Sequence, residues 1–210
     1  GGISVPPAGY LAGLRELCDR TGTLLVFDEV QTGMGRTGAW FGHQIENVTP
    51  DVMTLAKGLG GGVPIGAVAV TEKAAAGLSA VAPAAVPHAS TFGGNPLAAA
   101  AANAVFDIIE KDKLLENVVA MGEYLASRLQ TLVEKYPGHA TQVRGRGLLR
   151  GLAVSGAPAQ VTTKAREKGV LLSVAGDKVV RFAPPYIVTK AQLDEAVGVL
   201  DAVLSEGAGK

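Results

Sequence analysis

Apolar and polar positions fall into distinct blocks along the chain. Across residues 10–20, Leu11, Leu14, Leu17 and Cys18 recur three or four apart, which predicts a helix with one apolar face. Thr23-Leu24-Leu25-Val26-Phe27 is a continuous run closed by Asp28. A run of this kind suits a parallel strand buried on both faces. Residues 29–38 are rich in turn formers and predict a loop. Short strands are expected at 52–55 and 67–71, a short helix at 72–78 and a long loop over 79–95. Asn95 and Pro96 have the chemistry of an N-cap and first helical residue. They open an Ala-rich helix running to about residue 110, and a second helix covers 113–134, ahead of Pro137. Beyond it the pattern predicts strands at 142–143, 148–154, 170–174 and 178–182, with helices at 159–168 and 190–204. The first half therefore has the makings of an α/β sheet domain, residues 1–110. The second, residues 111–210, predicts a smaller α+β domain. No internal repeat is visible.

Composition narrows the function. Hydrophobic residues make up 48% of the 210 and charged residues 18%, a globular composition long enough to bury a core without staples. Aromatics are only 5%, which argues against a base-stacking surface. The 19 basic and 19 acidic residues balance, so no net field draws the chain to nucleic acid or to an anionic membrane. Cys18 is the single cysteine, which excludes an intrachain disulfide and a four-cysteine metal site and fits a reducing cytoplasm. Its place on the apolar face of the first helix predicts a core residue. His43, His88 and His139 are scattered without metal-ligand spacing, and no metal is expected. The Ala-rich stretch 97–105 has about half the length of a bilayer span and is interrupted by Asn103. The opening Gly1-Gly2-Ile3 lacks the basic region of a leader peptide and has the character of a loop from within a longer protein.

Five constellations carry candidate chemistry. Asp28 and Glu29 follow a strand, and ligands of open α/β sheets bind beyond the carboxyl ends of strands. Successive side chains point to opposite faces, so the two carboxylates do not work as a pair. Asp28 is equally suited to a plain turn. Gly33-Met34-Gly35-Arg36-Thr37-Gly38 matches the spacing of a dinucleotide fingerprint. It lies four residues past the strand, however, and Trp40 and Phe41 follow where a packed helix should open, so a glycine loop is favoured over a nicotinamide site. Lys57 lies in Thr54-Leu55-Ala56-Lys57-Gly58-Leu59-Gly60-Gly61-Gly62. A lysine among small apolar residues suits a nucleophile that forms Schiff bases, and the glycines let a ligand approach closely. The alternative is a surface lysine. Ser90-Thr91-Phe92-Gly93-Gly94-Asn95-Pro96 sets hydroxyls and glycines before a helix, a ready anion site. Capping accounts for Asn95 and Pro96 but not for the whole run. Arg181 closes a strand in Val179-Val180-Arg181-Phe182-Ala183-Pro184-Pro185, where its planar fork suits a carboxylate or a surface ion pair. Arg144-Gly145-Arg146-Gly147 is too short for an RNA-binding segment and predicts a strand-edge turn.

Taken together and in this order, Asp28, Lys57, the 90–96 run and Arg181 resemble the class III aminotransferases, fold-type I enzymes that use pyridoxal 5′-phosphate. The most specific segments are Phe27-Asp28-Glu29-Val30-Gln31-Thr32-Gly33 through Gly38 and Ala56-Lys57-Gly58-Leu59-Gly60-Gly61-Gly62. Thr49-Pro50-Asp51, Gly62-Val63-Pro64-Ile65-Gly66-Ala67 and Ser173-Val174-Ala175-Gly176 resemble the branch of that family acting on N-acetylornithine. The resemblance implies an α/β fold: the C-terminal part of the fold-type I large domain, with a mainly parallel sheet, plus a smaller α+β domain. It implies that Lys57 binds the cofactor aldehyde as a Schiff base and later acts as general base. Asp28 would keep the pyridine nitrogen protonated, Val30 would pack on the ring and Gln31 would hydrogen-bond near the phenolic oxygen. Thr91 would reach the cofactor phosphate of a partner subunit, implying a homodimer with shared sites. Arg181 would hold the α-carboxylate. The implied reaction moves the terminal amino group of N-acetylornithine, or a similar ω-amine, to 2-oxoglutarate, giving a semialdehyde and glutamate.

Family chains are much longer, so the resemblance also implies a C-terminal portion. Upstream of Gly1 the family carries a glutamate near the substrate, the glycine-rich phosphate loop, a ring-stacking aromatic and a second carboxylate-binding arginine. Sheet edges and apolar surface are then expected to be exposed, and the isolated chain is expected to be inactive. Ornithine, succinylornithine or 4-aminobutyrate as substrate, and a non-enzymatic assembly module, remain as alternatives.

Overall fold

Strands β1 (Val26–Asp28), β2 (Val52–Leu55) and β3 (Ala67–Val70) form a sheet in the order β1-β2-β3. In this computed structural model, which describes residues 1–80 and 89–208, they belong to a first unit spanning Pro6–Lys113. β1 and β2 are parallel and β2 and β3 antiparallel, so the sheet is mixed. The first helix, α1 (Tyr10–Thr21), ends at Gly22, whose left-handed φ of 69° suits a residue without a Cβ. Leu11, Leu14 and Phe27 pack around a small core of Cys18, Leu25 and Val48. Cys18 is thus buried, as its place on the helix predicts.

The expected strand at 23–27 is shorter and later than the apolar run. The Leu25 N–H donates to the Asp51 side chain at 2.8 Å, and the Leu25 carbonyl accepts from the amides of Asp51 and Val52. The ladder with β2 begins only at Val26. Burial on both faces also fails. β1 is an edge strand with Val26 55% exposed, and β3 is exposed at every residue. Continuous apolar strands are buried only where layers cover both sheet faces. Here the apolar composition meets solvent instead.

Helix α2 (Glu72–Ala80) follows β3 and α3 (Pro96–Lys111) closes the unit. The expected loop over 79–95 is partly helix at its start, and residues 81–88 lie outside the described residues. Asn95 caps α3 by accepting the Ala98 N–H at 2.9 Å, with Pro96 in the first turn. The alanines of α3 allow close packing against the 3₁₀ turn Lys57–Gly60, and a Cβ added to Gly61 would stand 2.9 Å from Val105.

The second unit comprises Gly1–Val5 and Leu114–Lys210. Its sheet is antiparallel throughout, in the order β4 (Ala140–Arg146), β5 (Leu149–Val154), β7 (Val179–Phe182), β6 (Ser173–Ala175). Helices α4 (Leu114–Lys135), α5 (Pro158–Glu167) and α6 (Lys190–Ala208) complete it. On α4, Val118, Met121, Gly122, Leu125, Leu129 and Leu132 form the buried stripe that helical periodicity dictates. All but Gly122 join Leu148, Leu152, Val180, Leu193 and Leu200 in one core. Ile3 lies over Gly145 and Gly151, where an added Cβ would stand 3.0 Å from its side chain at either position.

Two strand predictions here need correction. The expected 142–143 strand runs on through Arg146, because Arg144, Gly145 and Arg146 all pair with β5 and the turn comes at Gly147 and Leu148. The 170–174 strand starts only at Ser173. Gly169 at φ 87° and the Val170 N–H, which donates to the Ala165 carbonyl, are used in closing α5.

Candidate active site

The parallel register pairs Val26 with Val52, Phe27 with Met53 and Asp28 with Thr54. Both strands therefore finish at one edge of the sheet, and the Glu29 N–H extends the ladder by donating to the Thr54 carbonyl at 3.0 Å. Asp28 is exposed at that edge, and its Oδ1 accepts the Val30 N–H at 2.9 Å, an Asx turn that fixes the carboxylate against the following backbone. Lys57 follows β2 after Leu55 and Ala56. It opens the 3₁₀ turn with φ 48°, a left-handed conformation that a lysine adopts rarely, and its side chain is exposed.

Alternation separates the two carboxylates as the strand pattern predicts. Glu29 is 4% exposed and accepts from the Thr32 hydroxyl, the Gly42 N–H at 2.9 Å and the His43 N–H at 2.8 Å. Its carbonyl accepts the Gly33 N–H at 2.9 Å. Val30, half-buried, and Gln31, exposed, lie on the loop so closed. The glycines of 33–38 serve this loop. A Cβ on Gly33 would stand 2.8 Å from the Glu29 carbonyl, and the Gly35 N–H donates to the Trp40 carbonyl at 3.1 Å. No long helix opens after them; the chain enters the 3₁₀ turn Gly42–Glu46. That is not the strand-turn-helix context of a nicotinamide site.

Thr91 is exposed in the run before α3, where Ser90 Oγ accepts the Gly93 N–H at 3.1 Å and Asn95 Nδ2 donates to the Phe92 carbonyl at 2.9 Å. Arg181 belongs to the other unit. It stands on β7 between Gly151 of β5 and Ser173 of β6, and its Nε donates to Ser173 Oγ at 2.9 Å. With Ser173, Pro184, Val188 and Gln192 it lines an open cleft of about 550 Å³. The structure thus brings Asp28, Val30, Gln31 and Lys57 to one sheet edge in one unit and sets Arg181 in a cleft of the other.

Two acidic residues escaped the sequence reading. Alternation excludes a carboxylate pair and leaves Glu29 without an expected bonding role. Asp51 carried only a motif resemblance. It accepts from the Leu25 N–H and from Arg15 Nη1, each at 2.8 Å, and so ties α1 to the starts of β1 and β2. The Leu25 amide first, and then the Arg15 guanidinium, hold its carboxyl below the usual aspartate range. A single Asp after Thr49 and Pro50, directly before a short strand, is the signal that could have marked it.

The sequence profile of the family Aminotransferase class-III matches residues 1–204. The chain belongs to the class-III aminotransferase family. It is 48% identical over 209 residues to "Acetylornithine aminotransferase" of Mycobacterium tuberculosis, an alignment covering 99% of this chain and 50% of that protein. It is 47% identical over 201 residues to "Acetylornithine aminotransferase 1" of Bradyrhizobium diazoefficiens, covering 96% and 48%. Among solved structures, the ornithine aminotransferase from Plasmodium yoelii superposes with a TM-score of 0.88 at 33% identity, covering 98% of this chain and 54% of that one. An S-selective transaminase from Arthrobacter sp. does so with a TM-score of 0.91 at 31% identity, covering 98% and 49%. This class-III aminotransferase chain spans about half the length of the relatives it matches. Its α/β fold with a mixed sheet is that of these transaminases.

Proposed function

We propose that this chain is the C-terminal portion of a pyridoxal-phosphate aminotransferase acting on N-acetylornithine or a similar ω-amine, with 2-oxoglutarate as acceptor, in arginine biosynthesis. In this reading the unit Pro6–Lys113 is what the segment holds of the large cofactor-binding domain, and Leu114–Lys210 forms the small domain. The observation that carries it is the parallel register of β1 and β2, which sets Asp28 and the lead-in to Lys57 at one carboxyl edge. The names of the relatives support the amine.

The residues fit the cofactor by their chemistry. Among the described residues, the Asp28 carboxylate accepts from Val30 through one oxygen only, which suits it to a ring N–H. Lys57 supplies an exposed amine for the aldehyde, and Thr91 an exposed hydroxyl for a phosphate. When bound, pyridoxal phosphate supplies an electron sink for the carbanion formed at the amine-bearing carbon. Asp28 holds the proton on the pyridine nitrogen. Val30 would cover one ring face and Gln31 would hydrogen-bond near the phenolic oxygen. The Lys57 amine would hold the cofactor aldehyde and, once displaced by the substrate amine, would act as the general base that carries the proton from the substrate's amine-bearing carbon to the cofactor carbon. Arg181, its Nε engaged by Ser173, offers its fork to the α-carboxylate. Thr91 serves the phosphate of a second subunit, which makes the working enzyme a homodimer.

Val26, at 55% exposure, and Val68, at 65%, support the further reading that this segment works within a longer enzyme and does not turn over alone. Cytoplasmic placement belongs to the same reading. Among the described residues, no helix is long and apolar enough to cross a membrane. The test is cofactor capture. The chain is incubated with pyridoxal phosphate, reduced with borohydride and mapped by peptide. A label confined to Lys57 is expected, whereas labels scattered over other lysines with none at Lys57 would sink the assignment.

A further inference from the structure

The Glu29 carboxylate buried behind the site has no part in the proposed chemistry, yet three donors converge on it. Glu29 follows Asp28 directly. Its N–H donates to the Thr54 carbonyl at 3.0 Å, and its carbonyl accepts the Gly33 N–H at 2.9 Å. Its carboxylate accepts from the Thr32 hydroxyl, the Gly42 N–H and the His43 N–H. One residue therefore joins the strand that leads to Lys57, the loop that carries Val30 and Gln31, and the 3₁₀ turn Gly42–Glu46. Room for this clamp is built in. A Cβ on Gly42 would stand 3.1 Å from Glu29 Oε2, and one on Gly33 would stand 3.3 Å from Glu29 Cβ. The turn is anchored on its far side as well, where His43 Nδ1 donates to the Val48 carbonyl at 2.8 Å and the His43 ring stacks on Phe41 with centroids 6.0 Å apart.

We infer that Glu29 is a positioning residue for the cofactor site: its buried carboxylate sets the placement of Asp28, Val30 and Gln31 relative to Lys57. This rests on the proposed function. The Gly42 and His43 amides and the Thr32 hydroxyl are half-buried, and all three donate to this one carboxylate. Removing it leaves three half-buried donors without their acceptor, and the loop must open to hydrate them fully. The Asp28 carboxylate, held to the Val30 N–H at the start of that loop, moves with it.

The experiment compares the parent chain with Glu29→Ala and Glu29→Gln by two measurements. Native-state hydrogen exchange needs no cofactor. Glu29→Ala is expected to speed exchange at Gly33, Gly42 and His43 while amides of the second unit keep their protection. Titration with pyridoxal phosphate, read from the visible band and from borohydride labelling of Lys57, is expected to weaken by about tenfold or more in Glu29→Ala. Glu29→Gln should recover part of both losses, since its carbonyl keeps one acceptor in the same volume. A role in stability alone would lower the unfolding midpoint yet leave the folded variant's exchange pattern and cofactor affinity at parent values; that result overturns the inference. If Glu29→Ala does not fold, Glu29→Gln is read in its place against the same two criteria. If the parent fails to label at Lys57, it is the proposed function that fails, and the exchange arm still decides whether Glu29 holds the loop.

Discussion

Asp28 stands opposite Thr54 in the parallel pairing of β1 with β2, and Thr54 leads through Leu55 and Ala56 to Lys57. Twenty-odd residues of loop therefore separate two groups in sequence that the ladder returns to one edge. The pairing assigns them separable tasks. Lys57→Ala should abolish borohydride-fixed label on the first unit's peptides spanning 54–62. Asp28→Asn keeps the amine, so label at Lys57 should persist, but loss of the charged partner should weaken cofactor retention by about tenfold or more. Spectrophotometric titration with peptide mapping checks both. Equal retention in Asp28→Asn and the parent would remove Asp28 from the site.

Asp51 gives the opposite end of the sheet, where β1 and β2 begin, an acid limit. The Leu25 amide and the Arg15 guanidinium hold its carboxyl below the ordinary aspartate value in the folded chain. The protein therefore carries the stabilisation in full above the unfolded-state value, about 4, and loses it as pH falls through the lower folded value. Asp201 and Glu206, lowered chiefly by Lys135 and Lys164 respectively, titrate in the same direction in the other unit. Asp51→Asn should therefore flatten only the part of the acid response that belongs to the first unit. Exchange protection at the Leu25 and Val52 amides, followed from pH 6 to about pH 3, reads this directly. Identical slopes in parent and variant would contradict it.

The Asn95 cap is the most local of these dependences. Its side chain accepts the Ala98 N–H at the head of α3, the helix packed against the Lys57–Gly60 turn. Asn95→Ala should cost about 1 kcal/mol, and Asn95→Asp or Asn95→Ser should restore most of it. A urea midpoint series measures the loss. No difference between Ala and Asp at this position would mean that the N-terminus of α3 is satisfied in another way.

Much of this was legible before the structure. Helices with a clear apolar stripe, such as α1 and α4, lie within a residue or two of their expected limits, because one buried face writes a 3.6-residue period into the sequence. The strands were less legible. The run at 23–27 overstates β1, since Leu25 is taken by Asp51 across the chain and no local pattern encodes that bond. Its apolar faces promised burial that β1 does not have. In β4, Gly145 and two arginines resemble a turn, yet the ladder passes through them, because their pairing with β5 brings the Leu149 carbonyl to where only a glycine at φ 100° fits. At the candidate site, the alternation of Asp28 and Glu29 was correctly anticipated. The three-way bonding of Glu29 was not, because its partners Gly42 and His43 act through backbone N–H groups that carry no residue signature.

Two helical glycines offer a paired test of packing against propensity. In a helix interior, Ala is favoured over Gly by about 1 kcal/mol, so Gly→Ala should stabilise wherever there is room. Gly198 on α6 is exposed and has nothing within 4 Å of an added Cβ, so Gly198→Ala should raise stability by up to about 1 kcal/mol. Gly122 on α4 is buried, and an added Cβ would overlap the backbone of Gly147 at the β4–β5 turn. Backbone cannot rotate away as the end of a flexible side chain can, so Gly122→Ala should destabilise by about 1–3 kcal/mol despite its better propensity. The opposite signs are the test, and urea midpoints of the two variants against the parent supply it. A stabilising Gly122→Ala would mean that α4 can shift off the turn, and the close approach of helix and sheet in this core would then be looser than the backbone positions of Gly122 and Gly147 imply.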